Sequence, residues 1–398
     1  MAAYLLGVFL FALGIAATIA LHEAGHYTTA RMFGMRVRRF FVGFGPIVWS
    51  MRKGHTVYGL KAIPVGGFCD IAGMTNQDEV TSEEEPHAMR TKPWWQRIIV
   101  LLGGIIVNVV VAVVIFYFLA ISSGLPNPNV DTTPVVGELR CISSTAGQTC
   151  SGTGPAGEAG IQSGDRIVQL DGQSVESFVD VREYVLARPG KTIEFIVERG
   201  QEQFSIPVVV GHVEGIDSRG NVVTVGAVGL VGETPNYYQK YSPAQAIEAS
   251  LQFTGTVVSA TWDGLKAFPA KLPGVLAAVF GAERDVESPM SVVGASRVGG
   301  ELVEHNMWSS FFMLLASLNL FLAMFNLVPL PPLDGGHIAV VIYEKIRDFI
   351  RRLRGLPAGE PADYRKLMPL TIGVAGLLVS VGVLVIIADV VNPVRLFG

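Results

Sequence analysis

Four stretches of the 398-residue chain run without a formal charge for long enough to cross a bilayer: residues 2–21, 98–126, 305–333 and 368–388. About twenty apolar residues in a helix rise through the thickness of the hydrocarbon layer, so each stretch predicts a spanning helix. The first could instead be a secretory signal, but no Lys or Arg precedes it and it exceeds the usual length of a signal's apolar core. Between the first two runs, residues 40–49 and 56–68 are rich in aromatic and β-branched residues, broken by glycines and by Pro46 and Pro64. That pattern predicts short strands, a β-hairpin at the membrane surface. Residues 242–281 turn helical and amphipathic, with Lys266 and Lys271 limiting insertion, which predicts a helix or helix pair lying along the surface.

Lys/Arg counts in the connecting segments give the orientation. Residues 31–97 carry ten and residues 345–366 carry seven, whereas the 178 residues from 127 to 304 carry twelve. Both short loops are therefore expected in the cytoplasm, and the long middle region and both chain ends outside.

Composition adds exclusions. Half the residues are hydrophobic, 16% are charged and mean hydropathy is +0.43, a membrane composition. A net charge of −4 without a basic cluster interleaved with aromatics leaves no nucleic-acid footprint. Three cysteines are too few for a disulfide scaffold or a thiolate metal site, so any metal must use His and carboxylate ligands.

Such ligands are present. Residues 22–26 read His22-Glu23-Ala24-Gly25-His26 at the end of the first run. Residues four apart share a helix face, so His22 and His26 can offer two imidazoles to one ion, and Glu23 beside them can take a proton from metal-bound water. Ionisable groups at a span's end are costly and point to function. The third run ends in Asn326-Leu327-Val328-Pro329-Leu330-Pro331-Pro332-Leu333-Asp334-Gly335-Gly336. By the topology above, Asp334 reaches the cytoplasmic level of His22 and His26. Two imidazoles and one carboxylate with an open position suit catalytic zinc; the alternative for Asp334 is a helix cap before the glycines. In the second run, Gly103-Gly104 and Asn108 allow close helix packing with a hydrogen bond to a neighbour, or contact with a substrate.

Residues 157–172, Gly-Glu-Ala-Gly-Ile-Gln-Ser-Gly-Asp-Arg-Ile-Val-Gln-Leu-Asp-Gly, resemble the centre of a PDZ domain, continued by a helix over 178–187 and strands over 192–198 and 203–209. PDZ domains bind peptides by strand addition. Cys141 and Cys150 bracket an insertion, residues 142–149, where the family has a shorter connection; a disulfide there and two buried thiols are both open readings.

The His-Glu-x-x-His run, Gly-rich hairpin, PDZ insertion and Asn-x-x-Pro-x-Pro-x-Leu-Asp-Gly run together resemble the site-2 proteases, intramembrane zinc metalloproteases. The resemblance is closest to the regulator-of-sigma-E protease group and to actinobacterial Rip-type members. It implies that His22, His26 and Asp334 bind Zn2+ and that Glu23 is the general acid/base. It also implies that Asn326, Gly66, Gly67, Phe68 and Asn108 contact substrate. Ile105 stands where the family has Pro after the second-span glycines, which weakens the role of Asn108. The expected architecture is a polytopic α-helical membrane protein with four transmembrane helices, an inserted extracytoplasmic PDZ domain (α+β) and a membrane-surface β-hairpin. Its parts are residues 1–126 with the zinc motif and hairpin, 127–232 as PDZ domain, 233–304 as amphipathic linker, and 305–398 with the Asp-Gly motif. The expected partners are single-span substrates such as anti-sigma factors, a PDZ ligand and the bilayer of a bacterial cell membrane, with the active site near the cytoplasmic face. Two rival readings remain: a membrane-tethered PDZ scaffold and a zinc-dependent transporter, though the chain shows no internal repeat.

Overall fold

The computed structural model describes residues 1–143, 150–216, 222–285, 287–357 and 359–397. Its helices are α1 (Ala2–Met32), α2 (Trp94–Ser122), α3 (Gly154–Glu158), α4 (Phe178–Leu186), α5 (Pro243–Val279), α6 (Val292–Glu304), α7 (Trp308–Asn326), α8 (Asp334–Leu353) and α9 (Tyr364–Val391). The chain divides into two compact units, Pro126–Gln239 and the remainder.

In the larger unit, four described helices are long and apolar enough to cross a membrane: α1, α2, α7 and α9. None ends where its uncharged run does, and in two of them the difference bears on the site. α1 continues past Leu21 to Met32, because nothing between them breaks a helix until Gly34, which turns the chain at φ 67°. The histidine motif therefore lies inside a regular helix. α7 stops at Asn326 rather than 333: Pro329, Pro331 and Pro332 lack the N–H groups a helix needs. The chain then turns and restarts as α8 at Asp334.

The buried residues of α1 form one stripe, Gly7, Phe11, Ile15, Thr18, His22, Gly25, His26 and Ala30, the three-to-four-residue spacing of a helix face. Its upper part packs Phe11 and Ile15 against Val298 and Leu302 of α6 and Phe311 of α7. Its lower part meets α2 where both helices lack side chains. A Cβ added at Gly103 would lie 2.6 Å from the carbonyl oxygen of Gly25. This is the close packing that Gly103-Gly104 predicts.

Strands β1 (Val37–Lys53) and β2 (Thr56–Ile71) pair antiparallel, and residues 39–42 are paired twice, with 67–70 on one side and with 57–60 on the other. Positive φ at Gly43, Gly45 and Gly66 makes these folds of the ribbon possible. Phe44, Ile47, Val48, Trp49 and Ile63 stand exposed on it.

Most of the segment expected as linker is the 37-residue α5. Ala246 on α5 is buried with Phe116 and Ala120 of α2 and Leu320 of α7, so the amphipathic face covers protein. The end of α9 is fastened by a buried ion pair, Asp389 to Arg284 at 2.6 Å. Asp389 also accepts from the N–H groups of Ser291 and Gly294 at the start of α6.

In the smaller unit a four-stranded antiparallel sheet runs in the order 173–174, 166–170, 192–199, 202–209. Its core joins Ile161, Ile167, Leu170, Ile193, Phe195 and Val197 to Val181 and Val185 of α4. Ser177 and Asp180 cap α4 reciprocally. Asp171 and Gly172, both at positive φ, make the tight turn that Asp-Gly predicts. Cys141 and Cys150 form a disulfide with Cα atoms 5.8 Å apart; residues 144–149 of the insertion lie outside the described residues.

Candidate metal centre

His22 and His26 stand one turn apart on the buried stripe of α1, each only 7% exposed. Asp334 comes from the first turn of α8, and its carboxylate turns to the two rings. The Nε2 atoms of His22 and His26 are 3.2 Å apart. Asp334 Oδ2 lies 3.2 Å from the first and 3.3 Å from the second.

That triangle has the dimensions of one face of a zinc tetrahedron. Bonds of about 2.0–2.1 Å from a tetrahedral ion place neighbouring donors about 3.3 Å apart. The chemistry agrees. His26 Nδ1 donates to the Val100 carbonyl at 2.8 Å, so a neutral His26 presents a lone pair from Nε2. A lone pair facing a carboxylate oxygen is favourable only with positive charge between them. His22, His26 and Asp334 are the group of potential metal donors found among the described residues.

The backbone explains the convergence. A Cβ at Gly104 would lie 2.6 Å from both His22 Cε1 and His26 Nε2, so the bare backbone of α2 is what lets both rings turn inward. Gly336 allows α8 to begin tightly against the proline turn, since a Cβ there would lie 2.6 Å from the nitrogen of Pro331. Arg97 of α2 holds α8 through Glu344 at 2.9 Å.

Glu23, next to the first ligand, faces β2: a Cβ at Gly67 would lie 3.1 Å from Glu23 Cγ. Gly67 thus brings the backbone of β2 beside Glu23. The ring of Phe68 stacks on Phe41 at 5.5 Å, with Lys61 Nζ 4.9 Å from its centroid; that side chain holds the ribbon together. Asn326 ends α7 half-buried, and its amide has no hydrogen-bond partner among the described residues.

Asn108 makes the hydrogen bond to a neighbouring helix that was one of its two readings. It is 0% exposed and its Nδ2 lies 3.2 Å from Nδ1 of His22, so it sits behind a candidate ligand. Sequence reasoning also passed over Val100, whose carbonyl backs His26, and Asn319, which donates to Thr18 Oγ1 at 3.1 Å one turn before His22. Asn319 carried the same signal as Asn108, a lone amide in an apolar run; no signal marks a backbone carbonyl.

Comparison with known proteins identifies the family. Zinc metalloprotease Rip1 of Mycolicibacterium smegmatis is 44% identical over 98% of this chain and 99% of its own. Zinc metalloprotease Rip1 of Mycobacterium tuberculosis is 41% identical over 99% of each. Among solved structures, the PDZ domain of an SdrC-like protein from Listeria monocytogenes covers 27% of this chain and 92% of its own, at 17% identity and TM-score 0.18. The pattern of peptidase family M50 matches residues 10–357. The chain therefore belongs to peptidase family M50, the site-2 protease family its motifs resemble.

Proposed function

We propose that this protein is a zinc-dependent intramembrane endopeptidase that cuts single-span membrane proteins within or beside their transmembrane helices. The observation that carries the reading is the triangle of His22, His26 and Asp334 donors at 3.2–3.3 Å. A PDZ scaffold would have no use for that triangle. His22, His26 and Asp334 would hold zinc, which supplies polarisation of the scissile carbonyl and a water acidified to near neutrality.

The chain's own residues do the rest. Glu23 takes a proton from the attacking water as its oxygen adds to the carbonyl carbon. It returns that proton to the amide nitrogen as the C–N bond breaks, so atoms and charge balance. A helical substrate hides its carbonyls in internal hydrogen bonds and must unwind locally before attack. Backbone at Gly66–Phe68 offers strand addition that would hold the unwound segment extended, and Gly67 brings it to Glu23. Asn326 is free to hydrogen-bond the substrate's backbone.

The Lys/Arg distribution supports a cytoplasmic active site and a PDZ unit outside, in a bacterial cell membrane. The Cys141–Cys150 disulfide favours an oxidising compartment for that unit. There it would bind a peptide or protein ligand and filter substrates by a freshly exposed terminus. The family resemblance points to membrane-bound anti-sigma factors as substrates.

The experiment is co-expression with single-span proteins already trimmed outside, comparing the parent with Glu23→Gln. The variant should retain zinc and cut nothing; undiminished cleavage by it removes the assignment.

A further inference from the structure

We propose that Asn108 is a positioning residue that holds His22 in the one tautomer able to bind zinc, with its amide oxygen turned to the ring. The inference rests on reading His22 as a ligand. An imidazole that gives Nε2 to an ion carries its proton on Nδ1, and the partner of that N–H fixes the tautomer. For His26 the partner is the Val100 carbonyl, which can only accept. For His22 it is the Asn108 amide, which can either donate or accept.

With Nδ2 toward the ring, as the atoms stand at 3.2 Å, the amide donates. A neutral His22 would then carry its proton on Nε2 and aim an N–H into the donor triangle, where an ion needs a lone pair. Buried Asn108 Oδ1 meanwhile has no hydrogen-bond partner. A half-turn of the amide exchanges oxygen and nitrogen in nearly the same space. Oδ1 then accepts from Nδ1–H, and the NH2 occupies the place of the unpartnered oxygen. Either way one amide terminus lacks a partner, so the amide gains nothing by itself from the choice. The ring decides, and the ring's choice is set by whether Nε2 must face an ion. Amide orientation and metal binding are therefore linked. Asn108 lies one turn from Gly104, where bare backbone meets both rings, and its full enclosure keeps water from replacing it as the acceptor.

The test uses the full-length protein in lipid nanodiscs. Zinc affinity is read by competition with a chromophoric chelator, and ligand geometry from the visible spectrum after cobalt substitution. Asn108→Leu keeps the volume and removes the acceptor; it should weaken zinc binding by about 10- to 100-fold, the usual effect of losing such a partner. Asn108→Asp always accepts, and should bind at least as tightly as the parent with an unchanged cobalt spectrum. Parent-strength binding by Asn108→Leu overturns the proposal, and so does an equal loss in both variants, which would make the amide a packing group. If Asn108→Leu fails to fold, judged by thermal unfolding of the chelated form, Asn108→Asp decides alone: a loss of zinc there overturns the idea. Retention of stoichiometric zinc by His22→Ala would instead sink the ligand reading on which this rests.

Discussion

Adding one methyl group to α2 should disable the candidate metal centre without replacing any of its three donors. A Cβ at residue 104 would lie 2.6 Å from His22 Cε1 and His26 Nε2 and 2.7 Å from His22 Nδ1. Non-bonded heavy atoms settle near 3.5–4.0 Å, so the rings or the helix must yield by roughly 1 Å. The rings cannot yield cheaply, since His26 is fixed by Val100 and the two Nε2 atoms already lie 3.2 Å apart. α2 cannot retreat cheaply either, because Gly103 packs on the backbone of α1. Overpacking of this kind costs about 1–3 kcal/mol. Spent against the metal-binding geometry, that is roughly 5- to 150-fold in zinc affinity. Cleavage should fall by about 100-fold or more, because a displacement of about 1 Å is enough to misalign reacting groups. The assay compares Gly104→Ala with Gly14→Ala, whose new Cβ would meet only the end of the Leu315 side chain at 3.1 Å. Zinc affinity, thermal midpoint and cleavage are measured for each. If Gly104→Ala binds zinc and cleaves as Gly14→Ala does, the claim that bare α2 backbone shapes the site is refuted.

Two further predictions concern the smaller unit. Burial tends to raise the carboxyl pKa of Asp165, but two hydrogen bonds from Arg199 and the N–H of Gln162 outweigh it and hold the group below the usual carboxylate range. A carboxyl whose folded pKa is depressed stabilises the fold above its unfolded pKa of about 3.9, and that stability drains away as pH falls through the folded value. Urea unfolding of residues 126–239 should accordingly lose stability below about pH 4, and Asp165→Asn should flatten that slope; an unchanged slope counts against the pairing. Cys141→Ser with Cys150→Ser opens a loop closed across nine residues of separation and should cost about 2.7 kcal/mol in the same assay. Intact mass after alkylation without reduction should show one reactive thiol, Cys69; three would remove the bridge.

The residues of the candidate centre were readable wherever they stood out against an apolar background. His22, Glu23, His26 and Asp334 are conspicuous because charge at the end of a long uncharged run needs a reason. In the smaller unit, the resemblance to a PDZ domain placed the helix over 178–187 and the strands over 192–198 and 203–209 within a residue of where they lie. What stayed hidden depends on neighbours. A sequence tells that Asn108 is buried in a span, not that it faces the back of His22. It gives α5 its amphipathic pattern, with no means of telling that the apolar side covers α2 and α7 rather than lipid. The doubled pairing of residues 39–42 and the Arg284–Asp389 ion pair join segments whose partners no local pattern names.

The two sides of the donor triangle are separated by 312 residues of chain. During synthesis α1 emerges and inserts early, already carrying both imidazoles, while Asp334 is still unmade. Catalytic zinc needs a third protein ligand, so a nascent or truncated copy is latent. With His22, His26 and Asp334 as the zinc ligands proposed above, the metalloprotease gains activity only after the segment that carries Asp334 has been made, and the order of translation serves as its safety catch.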